Sequence, residues 1–227
     1  MPLPLSKPEG STSAVEPVLF AGEGAKNVDT TLLGVAQNMQ KAGADTNTIW
    51  QSTGHFLGRD GKWRTEIDDS KAEVFSDFVT KMNEPGRAEF YTLEELMKHD
   101  DLFAAYPDMR KLKVAVYSSS DPNDGGGKYS PSKNMIALNS AVVGLNDERL
   151  KLALLHEIQH AIQEKEGFAY LGWNPMKFFT PYGIPGEKEA KDAVNRGFES
   201  PEWRQQNAPN VTPIDFENPY RDTFEKF

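Results

Sequence analysis

The residues of this sequence best suited by type and spacing to chemistry are His156, Glu157 and His160. They stand in the stretch LLHEIQHAIQEKEGFA, from Leu154 to Ala169. Residues four apart on a helix share a face one turn from each other, so both imidazoles can reach a single Zn2+ at about 2 Å. Glu157, between them, is placed to orient a water at that ion and take its proton. Leu155, Ile158 and Ile162 make a separate apolar stripe, able to fasten the helix to a core while the polar pair faces a cleft. The plainer alternative is an amphipathic helix that happens to carry two histidines. Two of the chain's four histidines fall inside this motif, within its most clearly periodic helix, and that favours the metal.

Two protein ligands leave a zinc site incomplete. Cysteine is absent, so a third ligand must be His, Asp or Glu. Residues 161–167, AIQEKEG, supply no His or Asp at the short downstream spacing. GEKEAKDAVNR, from Gly186, offers Glu187 and Glu189. Side chains two apart on a helix project about 200° from each other, so the two carboxylates do not both reach one ion. Residue types and spacing leave the choice open, and both acids also suit a solvated first helical turn.

The composition bounds the setting. A chain of 227 residues can bury a core, and its 38% hydrophobic and 26% charged residues suit a globular protein. A net charge of −9 argues against nucleic-acid binding, which needs a basic face; Arg110, Lys111 and Lys113 make only a small positive spot. The N-terminal MPLPLSKPEGSTSAVEPVLFAGEG lacks the basic and apolar regions of a signal peptide. No apolar run is long enough for a membrane span.

The elements that must position the motif can be read along the chain. Residues 1–27, rich in Pro, Gly and Ser, are expected to run extended over the surface. Asp29 caps a helix to Lys41 with Leu32, Leu33, Ala36 and Met39 at helical spacing. Asn47–Thr53 forms a short helix, and GRDG at 58–61 a tight turn into a strand alternating Trp63, Thr65 and Ile67. Lys71–Met82 is expected to be helical, with Val74, Phe75, Phe78 and Val79 on one face. Thr92 and Glu95 form a capping box before LEELMKHDDLFAAY. Leu112, Val114 and Val116 alternate in a strand. The GGG at 125–127 reads as a mobile flap or linker leading to a second strand, Met135–Leu138. DERLKLALLHEIQHAIQEKE is a strong helix stopped by Gly167, followed by a short helix over Glu187–Asn195. Trp203, Phe216, Tyr220 and Phe224 suit a tail that wraps the body. The divisions are an extended segment (1–27), a helical and hairpin lead-in (28–83), a core (84–197) and a C-terminal arm (198–227). The fold class is α+β, a small mixed or antiparallel sheet packed on the motif helix, with a second helix bearing Glu187. His55 and His99 lie far from the motif in sequence and are assigned no metal.

LLHEIQHAIQEKEGFA together with PGEKEAKDAVNR resembles the zincin-like metallopeptidase domains of phage and mobile-element large polyvalent proteins, of glutamate-zincin type. IWQSTGHFLGRDGKWRTEIDDSKAE resembles the lead-in to those domains, and MIALNSA the strand before their motif helix. The match runs from about Lys26 to Arg196. The resemblance implies a zincin-like fold with His156 and His160 as zinc ligands and Glu157 as general base. It implies a third ligand from the first Glu of E-x-E-A, here Glu187, with Glu189 behind it accepting a hydrogen bond from a ligating histidine. It also implies Tyr182 as the donor that stabilises the oxyanion, and Met135–Leu138 as the edge on which an extended peptide pairs.

The implied function is a phage-encoded zinc peptidase that cleaves a protein or peptide through a metal-activated water. The alternative is a virion or internal structural protein that keeps the fold, with or without metal, and has other virion proteins as partners. The expected locations are a phage virion or the host cytoplasm.

Overall fold

The computed structural model describes residues 18–58, 60–75, 88–119, 121, 124–143, 147–168 and 185–209. VLFAG, Val18–Gly22, forms β1 and is buried at all five positions, which corrects the expectation that residues up to 27 run over the surface. An unbroken apolar run fills both faces of a strand, and here it does so. Helix α1 (Thr30–Lys41) starts at Asp29, whose side chain accepts from the N–H groups of Thr31 and Leu32, and it buries Leu33 and Ala36. Helix α2 (Thr46–Thr53) buries Ile49 and Trp50. Strands β2 (His55–Leu57) and β3 (Trp63–Asp68) follow, the second with Trp63 and Ile67 buried as their alternation predicts. The three strands make an antiparallel sheet in the order β1-β3-β2, with Val18 opposite Asp68 and His55 opposite Thr65.

The helix predicted over Lys71–Met82 is corrected for its first residues. Glu73–Val74 is a short strand, β4, paired antiparallel with β6 (Met97–Lys98). Phe75 N–H donates to Leu96 O at 2.8 Å, so a backbone partner outweighs the helical spacing of the side chains. Phe78 and Val79 lie outside the described residues.

β5 (Ala88–Thr92) runs into α3 (Leu93–Leu96), where the capping box forms: Glu95 Oε2 accepts from the Thr92 N–H at 2.7 Å. After β6 comes α4 (Asp100–Ala105), capped by His99, whose Nδ1 accepts from the Leu102 N–H at 3.3 Å. A 3-10 turn over Pro107–Lys111 leads to β7 (Lys113–Tyr117), then β8 (Gly127–Ser130) and β9 (Met135–Asn139). These form a mixed sheet in the order β5-β7-β9-β8, with β7 parallel to β9 and the other pairs antiparallel. The strand expected at the edge, β9, is therefore interior, and β8 and β5 are the edges. Gly127, read as part of a flap, is a strand residue.

α5 (Ser140–Val143) precedes α6 (Asp147–Glu166), the motif helix, which ends at Gly167 with φ +60°, a left-handed conformation that favours glycine. Leu155, Ile158 and Ile162 are fully buried. Helix α7 (Pro185–Arg196) packs on α6, and α8 (Pro201–Gln206) carries Trp203. Phe216, Tyr220 and Phe224 lie outside the described residues. The molecule is α+β. Leu19, Ala21 and Ile67 share one hydrophobic core with Val114, Ile136, Leu138 and Ile158, so the N-terminal strands and the mixed sheet close on α6 together.

Side chains complete the outer edge of β1. Gln159 accepts from the Phe20 N–H at 2.8 Å and donates to Phe20 O at 3.2 Å. Two residues on, the Gly22 N–H donates to Tyr106 Oη at 2.9 Å, and then the Gly24 N–H donates to Glu166 Oε2 at 3.0 Å. The spacing of two is that of backbone groups facing one side of a strand. Lys62 Nζ also donates to Glu166 O at 2.7 Å, tying the hairpin to the end of α6.

Among the described residues, no helix is long and apolar enough to cross a membrane.

Candidate metal centre

α6 sets His156 and His160 on one face, with ring centroids 4.8 Å apart and planes at 90°. Their Nε2 atoms face each other at 3.2 Å. α7 delivers Glu187 to the same point: Oε2 lies 3.5 Å from His156 Nε2 and Oε1 3.2 Å from His160 Nε2. Among the described residues, this is the group of His, Asp and Glu whose ligand atoms converge, all within 4.8 Å. Glu187, not Glu189, reaches the histidines, in line with the opposed projection of residues two apart on a helix.

The separations suit a metal. Zinc with bonds of about 2.0–2.1 Å at tetrahedral angles holds its ligand atoms about 3.3 Å apart, close to the three distances found. Two imidazole nitrogens and a carboxylate, without thiolate, form a donor set that zinc accepts. The protonation energetics point the same way. Hydrogen bonds from His156 and His160 hold the Glu187 carboxyl far below the usual carboxylate range. Burial pulls the His160 imidazole down, but Glu187, Glu157 and Gln163 outweigh it and raise it. An anion that draws a proton onto the His160 ring also draws a cation.

His160 is held from behind. Its Nδ1 lies 2.8 Å from Gln163 Oε1, so Nδ1 carries the proton and Nε2 points into the centre. Gln163 Nε2 in turn donates to Gly186 O at 2.9 Å and to Glu189 Oε1 at 3.2 Å. The hydrogen bond that the resemblance implied between Glu189 and a ligating histidine is thus corrected: Glu189 acts one residue further out, through Gln163. Its other oxygen meets the Arg64 guanidinium at 2.8 Å. The buried Nδ1 of His156 has no partner among the described residues.

Glu157 is buried against β8. Its Oε2 accepts from the Tyr129 N–H at 2.6 Å, and a Cβ on Gly127 would come within 3.0 Å of its Cγ and Oε1. Any larger residue there would force the Glu157 side chain or the sheet edge to give by a few tenths of an ångström. Burial pushes the Glu157 carboxyl up, against the pull of His156 and His160. Tyr182 lies outside the described residues. His55 sits in β2 with Nδ1 at 2.9 Å from Thr53 O, and His99 pairs with the buried Asp69. A cavity of about 430 Å³ lies apart from this centre, between α2, β3 and α8, with Trp50, Glu66 and Arg204 in its lining.

Sequence reasoning missed Gln163, Gln159 and Arg64. The first had a signal, since it stands three residues after His160 on the same helix face. Gln159 and Gln163, four apart amid apolar neighbours, mark a buried polar stripe.

The family model for large polyvalent protein associated domain 23 matches residues 18–75, the span from β1 to β4. It includes Arg64 and lies wholly upstream of the motif helix, so it bears on the large-polyvalent-protein side of the resemblance alone. No curated protein matches the chain, and no solved structure does.

Proposed function

We propose that this chain is a zinc-dependent peptidase of zincin-like fold, with His156, His160 and Glu187 holding the ion and Glu157 acting as general base. The observation that carries the reading is the convergence of two imidazoles and one carboxylate at 3.2–3.5 Å, with a buried carboxylate beside them on a strand edge.

Bound zinc would supply Lewis acidity, polarising a peptide carbonyl and making water acidic near neutral pH. The protein residues do the rest. Glu157, fixed at Oε2 by the Tyr129 N–H, takes the proton of the attacking water at Oε1 and returns it to the leaving amine. Gln163 holds the His160 ring in the tautomer that turns Nε2 inward. β8 is the strand along which an extended peptide pairs, through backbone groups and with little side-chain selection. Because Glu157 touches the backbone of β8, the base lies alongside a peptide docked there.

A phage or mobile-element setting, with a virion or host-cell location, belongs to the same proposal; it rests on the resemblance to large polyvalent proteins, with which the match over residues 18–75 agrees. Purified protein should hold about one zinc per chain by elemental mass spectrometry. Glu157→Gln should keep the zinc and lose hydrolysis of unfolded protein substrates; equal hydrolysis by the two proteins refutes the mechanism.

A further inference from the structure

We propose that Arg64, in the hairpin strand β3, is a positioning residue for the metal centre, acting through Glu189 and Gln163 to set the proton on His160. The inference rests on the metal reading above and extends it to the matched N-terminal segment.

Arg64 is only 2% exposed. Asp60 holds its guanidinium in a fork at 2.8 and 2.9 Å, Lys62 O accepts at 2.9 Å, and the Phe168 ring lies 3.7 Å from Cζ. So fixed, it presents Nη2 to Glu189 Oε2 at 2.8 Å. Burial disfavours the Arg64 charge, but Asp60 and Glu189 outweigh it and keep the guanidinium cationic. That contact fixes the Glu189 side chain with its other oxygen, Oε1, turned toward Gln163.

The Gln163 amide then has no choice of orientation. Glu189 Oε1 and Gly186 O are both acceptors, and both face its Nε2. Its Oε1 must therefore face His160, and an oxygen there demands a proton on Nδ1. The ring is left with its Nε2 lone pair for the metal. Turned over, the amide would set its oxygen against two acceptors and its NH2 against Nδ1, favouring the tautomer that cannot ligate through Nε2. Arg64 thus acts on His160 across three hydrogen-bonded steps, from β3 through α7 to α6.

The test is a double-mutant cycle on zinc affinity, by chelator competition, paired with exchange of the His160 Nδ1 proton in 15N-labelled zinc-loaded protein. Arg64→Gln should weaken zinc about 10- to 100-fold and speed that proton's exchange about tenfold or more. In a Gln163→Met background, where the relay is already cut, Arg64→Gln should cost no further affinity. Glu189→Met, which leaves Arg64 its Asp60 partner, replaces Arg64→Gln should that variant not fold. Equal losses in both backgrounds, or unchanged exchange, overturn the relay while leaving the metal reading intact. A wild-type chain that takes up no zinc overturns both.

Discussion

Gln159→Met tests how β1 is held to the motif helix. The methionine matches glutamine in length and volume, so little cavity results, but both hydrogen bonds to Phe20 vanish. Phe20 is fully buried, and no water replaces them. A buried N–H or C=O left without a partner costs about 1–3 kcal/mol, so losing the pair costs about 2–6 kcal/mol. That is a large part of the roughly 5–15 kcal/mol that stabilises a typical domain. With a urea dependence of about 2–3 kcal/mol per molar, the unfolding midpoint should fall by about 0.7–3 M. Trp50 and Trp63 are buried in the N-terminal segment and report the transition by fluorescence. Hydrogen exchange should show the Phe20 amide protected in the parent and fast in the variant. A midpoint shift below about 0.3 M, with Phe20 still protected, would refute the argument that this amide serves as the strand's missing neighbour.

Glu187→Gln should abolish zinc retention after dialysis, whereas Glu189→Gln should still reach one zinc per chain at saturating metal; elemental analysis distinguishes them. Gly127→Ala places a Cβ 3.0 Å from the Glu157 carboxylate. It should lower peptide hydrolysis by about tenfold or more at unchanged zinc content. Burial raises the Asp69 carboxyl from 3.8 to about 6, against the pull of His99. The folded state therefore binds this proton more tightly than the unfolded state. The resulting stabilisation is complete below about pH 4 and is lost as pH rises through about 6. Asp69→Asn should remove that slope from denaturation midpoints taken between pH 4 and 7; an unchanged slope assigns it elsewhere.

The parts of the fold legible in the sequence are those decided within a few residues. α6 is announced by its apolar stripe and stopped by Gly167, and α1 and α3 by Asp29 and by the Thr92–Glu95 pair. The errors lie where distant pairing decides. Glu73–Val74 has helical neighbours by spacing, yet β6 offers it a backbone partner. β9 became interior because β8, hidden in a glycine-led stretch, pairs on its far side. VLFAG was overlooked beside the Pro- and Ser-rich residues that precede it.

At the centre, His156, Glu157 and His160 were legible from spacing and Glu187 from the resemblance. Spacing alone did not choose between the two glutamates, because the choice depends on how α7 is rotated against α6. Arg64 was not legible, since no local pattern ties a hairpin arginine to a histidine 96 positions later.

The tie between Phe20 and Gln159 spans 139 positions. The strand at Val18 leaves the ribosome well before Gln159 does, and its outer flank waits for the intervening residues before it is covered. Contacts of such long range slow folding, and meanwhile the open flank is a template for another nascent copy. The same delay precedes assembly of the His156, His160 and Glu187 cluster, because the histidines arrive on the very helix that ends the wait.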